Sequence, residues 1–263
     1  MSVTHVMLDL ETWGTEPGCD IRSIGACLFD PVSGAVSVPC QTCKGGTTRG
    51  NVNDGGDCSD CMNTRMEQGY GDTFYIATDN PRGYGGTPST RGRFFETGKL
   101  TDRLKYPLKR DPKTERWWSE QSAEAQAAFD NPVDLRIALS RFSVWLVDVC
   151  PDPSDLRLWA HGPQFDISIL AAAYAAVGEP VPWHYRSPRD TRTAFDMAGI
   201  DDHSGWLAQF AGDGRVQHHA LSDAICQARA VCGAWEVVQT EQHVLSPVAL
   251  PGETRTPIKW GPE

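Results

Sequence analysis

The chain has 263 residues, 40% of them hydrophobic, with 24 Lys and Arg against 34 Asp and Glu and a formal net charge of −10. That length suits one α/β domain carrying an insertion. With no run of about 18 apolar residues and no signal-peptide pattern, membrane spanning and secretion are not expected, and the composition fits a cytoplasmic enzyme.

The first element expected is a strand at His5 to Leu10 (HVMLDL), a short apolar run. On a strand, residues i and i+2 face the same side, so Asp9 and Glu11 point together at its carboxyl end. Two such carboxylates repel and raise each other's proton affinity, and a hard cation with oxygen ligands reverses that. The plainer alternative is that both leave the core for solvent.

Residues 38–71 (VPCQTCKGGTTRGNVNDGGDCSDCMNTRMEQGYG from Val38 on) hold almost no apolar side chains and cannot fold around a core of their own. They carry Cys40-x2-Cys43 and Cys58-x2-Cys61 around a Gly-rich linker, the pattern of a structural four-cysteine zinc site. One Zn²⁺ could supply the missing stabilisation, about 10–16 kcal/mol in small finger peptides. Two disulfides or a loop of free thiols are the competing readings, and a cytosolic setting disfavours the disulfides. Cys19, Cys27, Cys150, Cys226 and Cys232 lack such spacing and read as buried or incidental.

Residues 79–93 read as a surface loop. Arg91, Arg93, Lys99, Arg103, Lys105, Lys109, Arg110, Lys113 and Arg116 then gather in one segment, with Arg186, Arg189 and Arg192 as a second basic spot. These could track phosphates or simply form a solvated charged surface. Asp111 to Asn131 reads as one or two short helices with Trp117 and Trp118 against the core, and Pro132 to Val149 as an amphipathic helix.

Arg157 to Gly162 is a second strand candidate. From Phe165 a helical pattern follows through Ile169, Leu170, Ala173, Tyr174 and Val177. Asp166 sits in its first turn, where a partner for the helix dipole is the bland reading. A last helix is expected from about His219 to Val238, with Leu221, Ile225, Ala228, Val231 and Trp235 on one side. His218 and Asp223 would not share a face of it, at about 100° per residue. They could converge only if His218 precedes the helix and reaches over its start; an ordinary polar cap is the alternative. The tail, residues 243–263, is Pro-rich and expected to be irregular. Acidic groups at the margins of apolar segments are costly unless paired or bound to a cation, so a divalent metal site is the simplest common explanation for Asp9, Glu11, Asp166 and Asp223.

DLET at Asp9, then FD at a helix start, then H-x4-D opening a C-terminal helix, in this order, resembles the DEDDh branch of the DnaQ-like 3′–5′ exonuclease superfamily. Three further strings, IRSIGACLFDPVSG, TERWWSEQSAEAQAAF and DTRT, are similar to the exonuclease-VIII-like and mycobacterial exoribonuclease-like group, which is often phage-encoded. The resemblance spans roughly residues 5–36 and 72–238. It implies a ribonuclease-H-like mixed sheet flanked by helices over residues 1–242, interrupted by the zinc-ribbon-like loop, where members commonly have a short connection. It also implies two Mg²⁺ or Mn²⁺ ions on Asp9, Glu11, Asp166 and Asp223, with His218 rather than His219 as general base. Thr12, Trp13 and Gly14 would contact the 3′-terminal nucleotide, although Trp13 could equally be an aromatic at the core edge. Relatives often dimerise, so a homodimer belongs to the expectation.

The function expected is metal-dependent hydrolysis from a 3′ end by a two-metal mechanism, releasing nucleoside 5′-monophosphates, with DNA or RNA as substrate. Two alternatives stand beside it. One is a non-catalytic nucleic-acid binder using the same fold and zinc module, for which retention of His218 would be unnecessary. The other is a carboxylate hydrolase such as a glycosidase, which needs two carboxyls and no metal.

Overall fold

A computed structural model of the chain describes residues 3–38, 73–79, 107–212 and 215–245. Its central strand, β1 (Thr4–Thr12), shows the alternation that organises everything else. Val6, Leu8 and Leu10 enter one hydrophobic cluster, while Met7 enters a second on the opposite face. Asp9 and Glu11 continue the Met7 row, so the side that is core at Met7 becomes polar towards the end of the strand.

β2 (Ile21–Asp30) lies antiparallel to β1, and β3 (Ala35–Val36) and β4 (Thr73–Asp79) lie antiparallel to β2. On the other side β6 (Leu156–Ala160) runs parallel to β1, and β7 (Pro188–Asp190) parallel to β6. β5 (Val133–Asp134) adds a short parallel edge to β4. The order is β5-β4-β2-β1-β6-β7, with β3 off this path on β2. This mixed sheet flanked by helices is consistent with the ribonuclease-H-like expectation.

The first cluster packs α3 (Leu135–Val149) and α4 (Asp166–Val177) against the sheet through Leu135, Leu139, Phe142, Trp145, Ile169, Leu170 and Tyr174. The second packs α5 (Thr191–Met197), α6 (His203–Gln209) and α7 (Ala220–Leu245) through Phe195, Leu221, Ala224, Ile225, Ala228 and Val231. Small residues set how close α7 comes. A Cβ on Gly25 of β2 would lie 2.1 Å from the Leu221 nitrogen and 2.2 Å from the Ala220 carbonyl carbon. Only glycine lets the first turn of α7 rest directly on the strand, and Gly25 is the cross-strand partner of Asp9.

Several boundaries differ from the sequence reading. β1 runs on to Thr12, because β2 keeps pairing with it beyond Leu10. β6 stops at Ala160, short of the expected Gly162. The helix expected from Pro132 starts at Leu135, because Val133 and Asp134 pair with β4 and the Asp134 carboxylate then caps the helix on Arg136 N–H. The segment 111–131 forms α1 (Pro112–Ser119) and α2 (Ala123–Ala127). Only one tryptophan of α1 is in the core: Trp118 is 3% exposed and Trp117 41%. Adjacent residues on a helix point about 100° apart, so both cannot face the same layer. α7 extends to Leu245, so the first three residues of the expected tail, 243–245, are helical.

Cys19, Cys27, Cys150 and Cys226 are buried free thiols and Cys232 is half-buried. Cys40, Cys43, Cys58 and Cys61 lie outside the described residues, as do Arg91, Arg93, Lys99, Arg103, Lys105, most of the 79–93 loop and residues 246–263.

Candidate active site

β1 and α7 supply most of the site. His218 lies two residues before the helix and takes a left-handed backbone, with φ 61°. That conformation is uncommon for a non-glycine residue and is held here by local contacts. The His218 N–H donates to Asp223 Oδ2 at 3.2 Å, and its ring meets Trp117 edge-to-face with centroids 4.8 Å apart. The turn folds His218 back over the helix start, which is the geometry the sequence required for the pair to converge. Ligand atoms of Glu11, His218 and Asp223 lie within 4.8 Å of one another.

Asp166 arrives from the other layer. The β1–β6 ladder ends at the Met7–Trp159 pair, which leaves the Leu10 N–H without a strand partner on that edge. Asp166 Oδ1 accepts from it at 3.1 Å. Asp166 is 3% exposed. Its carboxyl is pushed up by burial, against the pull of the Leu10 and Asp166 backbone N–H groups and the charge of Arg192. Asp166 is therefore bound across the sheet as well as placed in a favourable helix turn.

The carboxylates feel one another strongly. Asp9 is held well above the ordinary carboxylate range by burial and by the charges of Asp166, Glu11 and Asp223. Glu11 is pushed up by burial, then by Asp223 and Asp166, with Arg22 opposing. Such a cluster cannot hold all its charges together without a compensating cation. An oxygen-rich donor set with one imidazole, gathered from two layers, fits a hard divalent ion. Asp9, Glu11, Asp166 and Asp223 are the oxygen donors available to it.

Two residues around the cluster escaped the sequence reading. Gln227 donates from Nε2 to Asp9 Oδ1 at 2.7 Å. It sits one turn after Asp223, so its helical spacing was the available signal. Arg215 donates from Nε to Asp223 Oδ1 at 2.8 Å, and no local pattern announced it.

His219, the other candidate base, faces elsewhere. It stacks on Tyr75 at 4.2 Å between centroids, its Nδ1 accepts from Ser222 N–H at 3.4 Å, and burial lowers its pKa.

The flank of the site is aromatic and basic. The Arg22 guanidinium lies 3.6 Å from the ring centroid of Phe129 and 4.3 Å from those of Trp13 and Trp118. Arg110 lies 4.3 Å from that of Trp13 and pairs with Asp20 at 3.3 Å and Asp79 at 3.2 Å. The Trp118 Nε1–H donates to the Thr12 carbonyl at 2.8 Å, and the Asp111 N–H to the Trp13 carbonyl at 2.7 Å. Thr12 Oγ1 donates to the Gly14 carbonyl at 2.6 Å, and a Cβ on Gly14 would lie 2.8 Å from that of Cys19. Thr12 at the end of β1 and the Trp13–Gly14 turn that follows it are thus braced against α1. Arg186 and Arg189 lie apart, in the turn before β7 and in β7 itself, whereas Arg192 is close enough to lower the Asp166 pKa.

A mixed sheet of this order, with an acidic centre and a histidine beside the end of its central strand, is consistent with a ribonuclease-H-like nuclease domain. The chain belongs to the 3'-5' exoribonuclease Rv2179c-like domain family, which matches it over residues 4–44 and 66–235. It is thus a 3′–5′ exonuclease domain with nucleic acid as its substrate class. Among solved structures, Pop2p of S. pombe in its Mg²⁺ and Mn²⁺ bound form aligns at TM-score 0.45 and 14% identity, covering 88% of this chain and 82% of that chain. No curated protein sequence matches the chain. Among the described residues, no helix is long and apolar enough to cross a membrane.

Proposed function

We propose that the protein is a metal-dependent exonuclease that removes nucleoside 5′-monophosphates from the 3′ end of RNA. The observation that carries this reading is the approach of Glu11, His218 and Asp223 to within 4.8 Å, next to the half-buried carboxylate of Asp9 and the buried one of Asp166. The family description favours RNA over DNA. The motif strings are similar to the exonuclease-VIII-like and mycobacterial exoribonuclease-like group, often phage-encoded, and a cytoplasmic enzyme belongs to this reading.

Two Mg²⁺ or Mn²⁺ ions, when bound, would lower the pKa of an attacking water and offset charge on the phosphoryl oxygens. Asp9, Glu11, Asp166 and Asp223 would hold them. His218 has the role of general base, taking the proton of the attacking water, a contribution of about 10²–10⁴ in rate. Gln227 holds Asp9 in place by its hydrogen bond, and the Leu10 N–H holds Asp166. The braced Thr12–Gly14 segment would seat the terminal nucleotide. Cys40, Cys43, Cys58 and Cys61 would bind one structural Zn²⁺; the family match passes over 45–65, the stretch that holds Cys58 and Cys61.

The test is degradation of 5′-labelled single-stranded RNA and DNA of the same sequence in Mg²⁺, Mn²⁺ and EDTA, with the products identified by chromatography. Loss of activity in EDTA and release of 5′-monophosphates are expected. Activity that survives EDTA, or products bearing a 3′-phosphate, would overturn the mechanism. Binding of RNA without any degradation would instead support a non-catalytic role.

A further inference from the structure

Resting on the exonuclease reading above, we propose that Trp117 is a specificity residue that stacks a base at the 3′ end of the substrate. Three observations carry this. First, Trp117 is 41% exposed although its immediate neighbour Trp118 is 3% exposed, so α1 is anchored by one tryptophan and presents the other. Second, that presentation is at the site itself: the Trp117 and His218 rings meet edge-to-face at 4.8 Å. The position is rigid, because Trp118 and Asp111 tie α1 to the backbone of Thr12 and Trp13, immediately after Glu11.

Third, exposed cations stand beside Trp117 on α1, among the exposed Glu115 and Glu120. Lys113, one turn earlier on α1, and Arg116 are both exposed. A flat aromatic beside cations is how proteins hold unpaired nucleotides, with the ring under a base and the charges along the phosphates. Trp13, the aromatic that the motif resemblance nominates, is less suited to this, because Arg22 and Arg110 both pack at 4.3 Å from its ring centroid.

The experiment compares wild type, Trp117→Phe and Trp117→Ala on two single-stranded RNA oligonucleotides, one ordinary and one with its last two nucleotides abasic. A labelled-RNA polarisation assay in EDTA measures binding independently of turnover. On ordinary RNA, Trp117→Ala should raise KM and the binding constant by roughly 5- to 100-fold, the range of a lost base stack. Trp117→Phe should recover most of that. On the abasic RNA wild type should already be weak, and Trp117→Ala should cost little more, the non-additivity expected of two halves of one contact. An equal loss of kcat on both RNAs with KM unchanged would overturn the proposal, since it would mean that Trp117 acts only by propping His218. Unchanged binding by Trp117→Ala would also overturn it, while leaving the exonuclease reading intact. Trp117-dependent binding by a protein that degrades nothing would uphold the stack and reject the exonuclease reading instead.

Discussion

The acidic floor of the site and its aromatic wall are built in opposite ways. The floor draws Asp9 and Glu11 from the end of a strand and Asp166 and Asp223 from two helix starts, and Gln227, which bonds Asp9, lies 218 positions from it in the chain. Its members oppose one another, the charges of Asp166 and Asp223 raising the proton affinity of both Asp9 and Glu11. The wall gathers Trp13, Arg22, Trp118 and Phe129 into cation–π contacts that support one another, with Arg110 joined at Trp13. The two divide the labour: the wall stabilises the fold beside the site, and the floor sets aside stability for a carboxylate density that Arg22, Arg192 and Arg215 offset in part and a bound cation would offset further.

The largest expected effect breaks the floor. Asp9→Ala or Asp223→Ala should abolish metal-dependent degradation; melting in EDTA should show stability unchanged or raised for Asp9→Ala, because a like charge has been removed, and lowered for Asp223→Ala, because Arg215 and the His218 N–H lose their partner. Near-normal turnover of either variant in saturating Mg²⁺ would show that the floor is not the metal site.

Next, His218→Ala should lose about two to four orders of magnitude in kcat. His219→Ala, whose ring stacks on Tyr75, should lose far less. Single-turnover rates of the two variants check this, and equal losses would assign the base wrongly.

A third substitution strikes the joint between α7 and the sheet. Gly25→Ala puts a Cβ into the Leu221 and Ala220 backbone, so the helix start must move. A cost of about 1–3 kcal/mol is expected from overpacking, with a larger loss of metal affinity because Asp223 and His218 ride on that turn. Thermal melts and Mn²⁺ titration separate the two; loss of stability with metal affinity intact would mean that the site tolerates the shift.

The smallest effect is on pH dependence. Folding raises the pKa of Glu11 to about 8, chiefly by burial, so the folded protein holds its proton more tightly than the unfolded chain does. Stability without metal should then fall as pH rises from the ordinary glutamate value through about 8. Asp20, buried beneath the wall and pushed up to about 6 by burial against the pull of Arg110, contributes in the same direction but only up to that pH. Saturating Mn²⁺ should flatten the melting-temperature slope between about pH 6 and 8 and leave the lower part in place. A slope unaffected by Mn²⁺ would mean the floor carboxylates do not contact the ion.

By itself the sequence determined the elements and nominated the chemistry. The i, i+2 pairing of Asp9 and Glu11 follows from strand periodicity, and the apolar repeats that bury Ile169, Leu170, Ala173 and Tyr174, or Leu221, Ile225, Ala228 and Val231, follow from the helical period. Periodicity shows which way a side chain faces within its own element, and nothing about what lies opposite. That is why Trp117 and Trp118 were both assigned to the core, and why Arg215 and the Arg22 cage were not foreseen. Whether His218 could reach Asp223 was likewise undecidable from spacing. The answer depended on a left-handed turn at His218 and on Gly25 clearing space for the first turn of α7, and both are set by contacts between segments far apart in the chain.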